Sequence, residues 1–328
     1  MSWQSLPKVE LHLHFEGAAP PSFIRGLAKE KNVDLSKIFD EDGGYRYENF
    51  DHFLEVYEAA TSVLKTPEDF ARLCDAVLEQ SREQGVVYTE TFLSPEFCGG
   101  ADVAAWKEYL HAIEEAAARG EAQGITLKGC VTAIRHFGPD RAKLTATCAA
   151  ETAGDFITGF GLAGAEMMGR PGDFAYSFDM AREAGLRLTA HAGEWGGPDM
   201  VADTIRDLKV ERIGHGINAI KDASLVKQIA EQGITLEVCP GSNVFLNAVE
   251  SWDKHPIQRL RDAGVNVTVS TDDPPFFHTT MTEEYNMLEK TFSWAEDDFR
   301  EVNRVALDAA FCDSATKERI AKRLEPET

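Results

Sequence analysis

Two histidines separated by a single residue, His12 and His14, lie in an apolar run near the N-terminus. Side chains at positions i and i+2 of a β-strand point to the same face, so both imidazoles can reach one bound ion. The pair alone is a weak signal. With nine histidines in 328 residues, the number of pairs expected by chance at this spacing is about 0.25. Two packed core histidines are an equal alternative at this point.

Three further polar groups follow apolar runs later in the chain. His191 ends one run, and Glu194 follows it on a glycine-containing turn. His215 lies between two glycines, which leave its ring open to a ligand, and the consecutive Asp272 and Asp273 follow another run. Adjacent side chains face different ways, so one aspartate can reach a metal while the other faces a substrate. The structural alternatives are a core position for His191, a loop position for His215 and a turn before Pro274 for the two aspartates.

Eight short apolar runs alternate with amphipathic helical patterns. Strict alternation of this kind predicts right-handed crossovers and a parallel sheet, and eight units close a (β/α)8 TIM barrel. A doubly wound open sheet is the alternative. The predicted strands span residues 9–14, 86–92, 125–134, 156–161, 186–191, 212–215, 234–239 and 265–270.

All four polar groups fall at the carboxyl ends of predicted strands 1, 5, 6 and 8, the face on which barrel enzymes place their catalytic residues. This joint placement outweighs the separate structural alternatives. Three histidines and one aspartate form a mixed nitrogen and oxygen donor set that suits Zn²⁺, with a water molecule completing the coordination shell. The sequence therefore predicts a metal-dependent hydrolase.

The chain is longer than the roughly 250 residues typical of such a barrel, and the excess lies in two places. A helical insertion at about residues 18–85, after strand 1, is expected to cap the barrel mouth. Helices at 280–290, 295–310 and 314–323 are expected to close and extend the barrel. The whole chain, 1–328, is predicted to form a single domain.

Composition excludes several classes of partner. The net charge of 33 − 55 = −22 repels nucleic acid and anionic lipid. No run of about 18 apolar residues predicts a membrane span, and six scattered cysteines without a C-x-x-C pair indicate a reducing, cytoplasmic setting. A small molecule is the expected partner, and no protein partner is inferred.

The motifs H-x-H, H-A-G-E, G-H-G and S-T-D-D-P, in this order, resemble those of the adenosine deaminase family of metal-dependent aminohydrolases, and the resemblance spans nearly the whole chain. It implies one Zn²⁺ per chain, which lowers the pKa of a bound water toward neutrality. The metal ligands that it implies are His12, His14, His191 and Asp272.

The resemblance also implies roles around a purine substrate. His215 and Asp273 would position and deprotonate the water, with Asp273 also touching the substrate. Glu194, kept protonated, would give a proton to purine N1 as oxygen attacks C6 and ammonia leaves. The backbone N–H of Gly164 would meet purine N3, although this glycine also suits a helix start.

Some of the residues expected to select the purine match adenosine deaminases, and others depart from them. Glu16 stands where adenosine-specific members usually carry Asp beside the ribose, and Phe92 and Ala165 replace a usual Arg and Asp. In contrast, Ser94 is followed by proline, and Gly164 follows Leu-Ala, as in adenosine deaminases. We therefore expect deamination of a 6-aminopurine, with adenosine or 2′-deoxyadenosine first and adenine as the alternative.

Two other hypotheses remain. An N6-substituted adenine would suit an apolar pocket lined by Phe92, Phe276 and Phe277. A catalytically silent barrel that binds a purine or a metal is disfavoured by the presence of Glu194 and His215.

Overall fold

The computed structural model describes residues 3–325, and within them eight parallel strands follow one another around a sheet in chain order. Every predicted strand is confirmed within two residues of its expected ends. The strands are β1 (Lys8–His14), β2 (Val86–Leu93), β3 (Thr126–Ile134), β4 (Ile157–Ala163), β5 (Arg187–Ala192), β6 (Arg212–His215), β7 (Thr235–Val238) and β8 (Asn266–Val269).

The sheet closes between its first and last strands. The N–H of His14 donates to the carbonyl of Asp272 at 3.0 Å, and the N–H of Asp272 donates to the carbonyl of His12 at 3.1 Å. Sequential strand order with closure is the arrangement of a (β/α)8 barrel and excludes the doubly wound sheet. The segment that follows β8 and closes the barrel also carries the predicted aspartates.

Thirteen α-helices lie within residues 3–325, in addition to short 3₁₀ turns. They are α1 (Pro21–Glu30), α2 (Phe50–Thr61), α3 (Pro67–Glu83), α4 (Val103–Ala122), α5 (Pro139–Glu151), α6 (Ala175–Glu183), α7 (Pro198–Leu208), α8 (Ala223–Gln232), α9 (Pro240–Phe245), α10 (Ile257–Asp262), α11 (Met281–Phe292), α12 (Glu296–Ala309) and α13 (Ser314–Leu324). The predicted closing and appended helices are α11 to α13. Sequence patterns did not identify α7 or α9, and α9 is too short for a helical period to appear.

The predicted insertion of residues 18–85 contains two kinds of helix. The helix α3 packs against α4 in the outer ring and begins with a capping box, in which Thr66 and Asp69 satisfy each other's backbone N–H groups. The helix α2 instead reaches over the barrel mouth, where Phe53 and Tyr57 line the central cavity.

The appended helices cover the outside of the first strands. Asn303 of α12 accepts a hydrogen bond from the N–H of Val9 at 2.8 Å. Leu11, Tyr88 and Ile320 form part of a separate apolar cluster between the barrel and these helices. None of the helices in the described part of the chain combines the length and apolarity needed to cross a membrane.

Candidate active site

Four side chains meet at the carboxyl end of the barrel: His12 and His14 from β1, His191 from β5, and Asp272 after β8. Their donor atoms all lie within 4.8 Å of one another. Nε2 of His14 lies 3.2 Å from both Nε2 of His191 and Oδ1 of Asp272. Nε2 of His12 lies 3.3 Å from the same oxygen. The four residues that the sequence grouped as metal ligands are therefore brought together.

The surroundings of this cluster fit a bound metal ion. Nδ1 of His12 lies 2.9 Å from Oε2 of Glu237, and Nδ1 of His191 lies 3.0 Å from the carbonyl of Leu162. With the proton of each ring held at Nδ1, both Nε2 lone pairs face the common centre. Nε2 of His12 and Oδ1 of Asp272 are buried and lack a hydrogen-bond partner among the described residues.

Electrostatics favour the ligating form of two of these groups. Burial, reinforced by the other imidazoles, lowers the pKa of His191 well below its usual range, so the ring stays neutral. Burial alone would raise the pKa of Asp272, but the imidazoles of His12 and His14 beside its carboxyl outweigh it and hold that pKa well below its usual range. A neutral imidazole and an ionised carboxylate are the forms that bind metals.

The backbone is strained at this end of the barrel. His215 and Asp272 adopt φ angles of 62° and 69°, in the left-handed region that non-glycine residues rarely occupy. The hydrogen bonds to β1 hold Asp272 in this conformation. Gly214 permits close packing here, because a Cβ at that position would lie 2.8 Å from Cε1 of His12.

Glu194 and His215 are linked through Asn243 of α9. The side-chain amide of Asn243 lies 3.3 Å from Oε1 of Glu194 and 3.1 Å from Nδ1 of His215, and His255 lies 3.2 Å from its oxygen. Nε2 of His215 lies 3.8 Å from Oε2 of Glu194 and 3.9 Å from Oδ2 of Asp272. One amide therefore orients both groups beside the donor cluster.

Burial shifts the protonation of these groups. It raises the pKa of Glu194 well above its usual range, and the charges of Asp272 and Glu166 add to this effect. The pKa of Asp273 is also raised, by burial and by Asp272. Burial lowers the pKa of His215 to about 3. Glu194 is thus suited to carry a proton at neutral pH while the imidazole stays neutral.

A cavity opens above the donor cluster. Its lining combines aromatic side chains with a few polar groups, and no lysine or arginine of the described chain contributes to it. The residues that line it include Phe50, Phe53, Tyr57, Phe92, Phe97 and Phe277, together with Glu16, Ser94, His136, Gly164, Glu194 and Asp273. Phe276, predicted to share the pocket, instead stacks on Tyr45 with ring centroids 3.9 Å apart.

Three buried oxygens in this cavity lack a hydrogen-bond partner among the described residues: Oε1 of Glu16, Oγ of Ser94 and Oδ1 of Asp273. Burial raises the pKa of Glu16 to about 7, and the Tyr57 hydroxyl lies 3.4 Å from its other oxygen. Gly17 lets Asp273 approach, because a Cβ there would lie 1.6 Å from Oδ1. Unpaired buried oxygens need a partner, which a polar ligand would supply.

Several contributors to the site were not identified from the sequence. Glu237 holds His12, Ser242 donates to Oδ2 of Asp272 at 2.7 Å, and Asn243 links Glu194 to His215. Their position on β7 or directly after it was the available signal, since barrel enzymes place functional groups at carboxyl ends. Tyr57 comes from α2, and no motif marked it.

A closed parallel barrel with three histidines and an aspartate converging at its carboxyl end defines the class of the metal-dependent amidohydrolases. Within this class the chain belongs to the adenosine deaminase family, because the family model described as adenosine deaminase matches residues 7–326. The resemblance drawn from the four motifs is thereby confirmed, and the protein is a hydrolytic deaminase of this family.

Similar proteins cover nearly the whole chain. A protein named adenine deaminase from Rhizobium rhizogenes is 45% identical over 97% of this chain and 99% of its own length. The crystal structure of an adenine deaminase from Arthrobacter aurescens is 30% identical, has a TM-score of 0.89, and covers 97% of this chain and 98% of that chain. A zinc-bound amidohydrolase from Burkholderia ambifaria, 24% identical with a TM-score of 0.86, covers 98% of this chain and 93% of its own and shares the fold.

Proposed function

We propose that this protein is an adenine deaminase, which converts adenine and water to hypoxanthine and ammonia. The observation that carries the proposal is Glu16, 3% exposed, with an unpartnered carboxyl oxygen in the cavity that holds Glu194. A free purine base carries an N9–H donor that a nucleoside lacks, and the Glu16 carboxyl accepts it. The two adenine deaminases at 45% and 30% identity support the same substrate.

This conclusion reverses the order expected from the sequence, in which adenosine came first. The physical reason lies in the length and burial of Glu16. Its carboxyl extends one methylene further than the aspartate usual in adenosine-specific members, and the Tyr57 hydroxyl lies 3.4 Å from one of its oxygens in the same cavity. A site with a buried acceptor discriminates strongly against an analogue that lacks the matching donor.

The donor set formed by His12, His14, His191 and Asp272 fits Zn²⁺, which we propose as the cofactor. Zinc bound there would supply a water molecule with a pKa near neutrality and so a nucleophile for C6 of the purine. The zinc-bound amidohydrolase of similar fold is consistent with this choice. Glu237 orients His12 for this role, as an outer hydrogen-bond partner does in metal sites.

Three side chains then orient the water or transfer its protons and those of the purine. Glu194 donates the proton from Oε2 to purine N1, since Asn243 occupies its other oxygen. Asn243 also donates to Nδ1 of His215, so the neutral ring carries its proton at Nε2 and orients the attacking water. Asp273, whose Oδ1 lacks a hydrogen-bond partner in the cavity, accepts the proton of the water as a carboxylate and passes it to the departing amino group. The proton of the C6 hydroxyl returns to Glu194 as ammonia leaves.

The cavity disfavours negatively charged substrates. No lysine or arginine lines it among the described residues, so the phosphate of a nucleotide would have no cationic partner. The net charge of −22 also repels polyanions. Phe92 packs edge-on against His12 with centroids 4.7 Å apart, beside the donor cluster. A small uncharged purine fits this combination of an apolar wall and few polar groups.

The test compares kcat/KM for adenine, adenosine and 2′-deoxyadenosine by ammonia release from the zinc-loaded protein. We expect adenine to exceed both nucleosides by about 100-fold or more, as expected when a buried polar group is left unpaired. Glu16→Gln should lower kcat/KM for adenine by about 10-fold or more, because a charge-assisted bond is lost. Glu58→Gln, at the same cavity, is the matched control. Faster turnover of the nucleosides would restore adenosine as the substrate.

A further inference from the structure

One buried carboxylate holds the turn that carries Glu194. The side chain of Glu166, three residues after β4 and 2% exposed, accepts four backbone N–H groups. The donors are Gly193, Glu194, Trp195 and Gly196, at 2.5 to 3.1 Å. Four convergent donors on one carboxylate fix the path of every residue in this turn.

The carbonyl groups of the same turn are held from the opposite side. Nδ2 of Asn218, in the segment after β6, donates to the carbonyls of Glu194 and Gly196, both at 2.9 Å. The N–H of Asn218 donates to the carbonyl of Gly193, also at 2.9 Å. The turn is therefore clamped through its donors by the Glu166 side chain and through its acceptors by the side chain and the backbone N–H of Asn218.

Neither clamping residue belongs to the cavity. Among the described residues that line it, Glu194 is present while Glu166 and Asn218 are absent. Gly196 shows how closely the carboxylate sits, since a Cβ at that position would lie 2.6 Å from Oε1 of Glu166. A substitution at either clamp changes the turn without removing a contact to substrate.

We propose that Glu166 and Asn218 are positioning residues, which hold the turn 193–196 so that the Glu194 carboxyl meets the purine ring. The inference rests on the proposed function, in which Glu194 delivers a proton to N1. The negative charge of Glu166 also adds to the effects that keep Glu194 protonated. Misplacing a reacting group by about 1 Å costs up to about 100-fold in rate.

The first variant is Glu166→Gln, which keeps the side-chain volume and turns one acceptor into a donor facing N–H groups. We expect bound zinc to stay at one per chain while kcat for adenine falls about 10- to 100-fold and KM changes less than about threefold. Asp69→Asn is the matched control. Asp69 is 4% exposed and accepts the N–H groups of Lys65 and Thr66, both at 2.9 Å, outside the active site. The Asp69→Asn variant should have a lower melting temperature than the wild type and a kcat within about twofold of it.

A double-mutant cycle separates positioning from a structural role. If Glu166 acts through Glu194, adding Glu166→Gln to a Glu194→Gln background should change the residual rate by less than about twofold. An unchanged kcat in the single variant, or the same fold-loss in both backgrounds, would overturn the proposal. If Glu166→Gln does not fold, Asn218→Ala enters the same cycle with the same expected and contrary results. Failure of the wild-type protein to release ammonia from adenine refutes the proposed function instead.

Discussion

Replacing Glu194 by glutamine removes the proton proposed for purine N1 and keeps the shape of the side chain. The residue is 8% exposed, and Asn243 donates to its Oε1 at 3.3 Å, a bond that the glutamine oxygen can also accept. The glutamine N–H₂ then takes the position of Oε2, from which it can still donate a hydrogen bond to N1 but cannot transfer a proton.

The expected loss follows from these contacts. General acid catalysis contributes about 10²- to 10⁴-fold to a rate, or about 3 to 5 kcal/mol of activation free energy. KM should change by less than about threefold, because the hydrogen bond to N1 persists. The metal content should not change, because Glu194 is not one of the four convergent donors. Its Oε2 lies 3.8 Å from Nε2 of His215, which is outside that donor set.

The assay follows ammonia release and the conversion of adenine to hypoxanthine, with zinc per chain measured on the same preparation after dialysis. Glu58→Gln is the control, because Glu58 lies at the same cavity but is exposed, and it should retain nearly the wild-type kcat. Loss of zinc from Glu194→Gln would show that Glu194 is a ligand rather than an acid. A kcat close to that of wild type would refute its role in proton transfer.

Two further predictions concern the metal and the pH dependence of stability. His12→Ala should lose both zinc and deamination, measured together by metal analysis and ammonia release, whereas stoichiometric zinc with full activity would contradict the H-x-H interpretation. Burial raises the pKa of Glu284, which is fully buried, from 4.5 to about 8. The folded state therefore holds this proton more tightly, so the stability that it confers is complete below the unfolded pKa and is lost as pH rises toward 8. Glu284 accepts the N–H of Gly241 and the hydroxyl of Thr279, and in Glu284→Gln the amide oxygen can still accept the former while the amide N–H₂ can donate to the latter. The variant has no titrating group at this position, so its stability should fall less than that of the wild type in unfolding titrations as pH rises across this range. An identical pH dependence in wild type and variant would count against it.

The barrel was predictable because its strands are buried on both faces. Such strands appear in sequence as short continuous apolar runs, and β7 and β8 were found in this way although each spans only four residues. The helix α9 was not predicted, because it is too short to show a helical period. Its six residues include Asn243, so a short element without a period carries a group that orients two of the site residues.

The sequence by itself determined the order of strands, the four motifs at their carboxyl ends and the donor types, because these depend on local periodicity and on the chemistry of neighbouring residues. Only the tertiary structure decided which distant groups serve those donors. Glu237 reaches His12 across 225 positions, and Glu166 reaches the Glu194 turn across 28. The substrate that we propose likewise rests on a contact seen only in three dimensions, that of Tyr57 of the insertion with Glu16. Such contacts follow from the closure of the barrel and the packing of α2 over it, which no local pattern specifies.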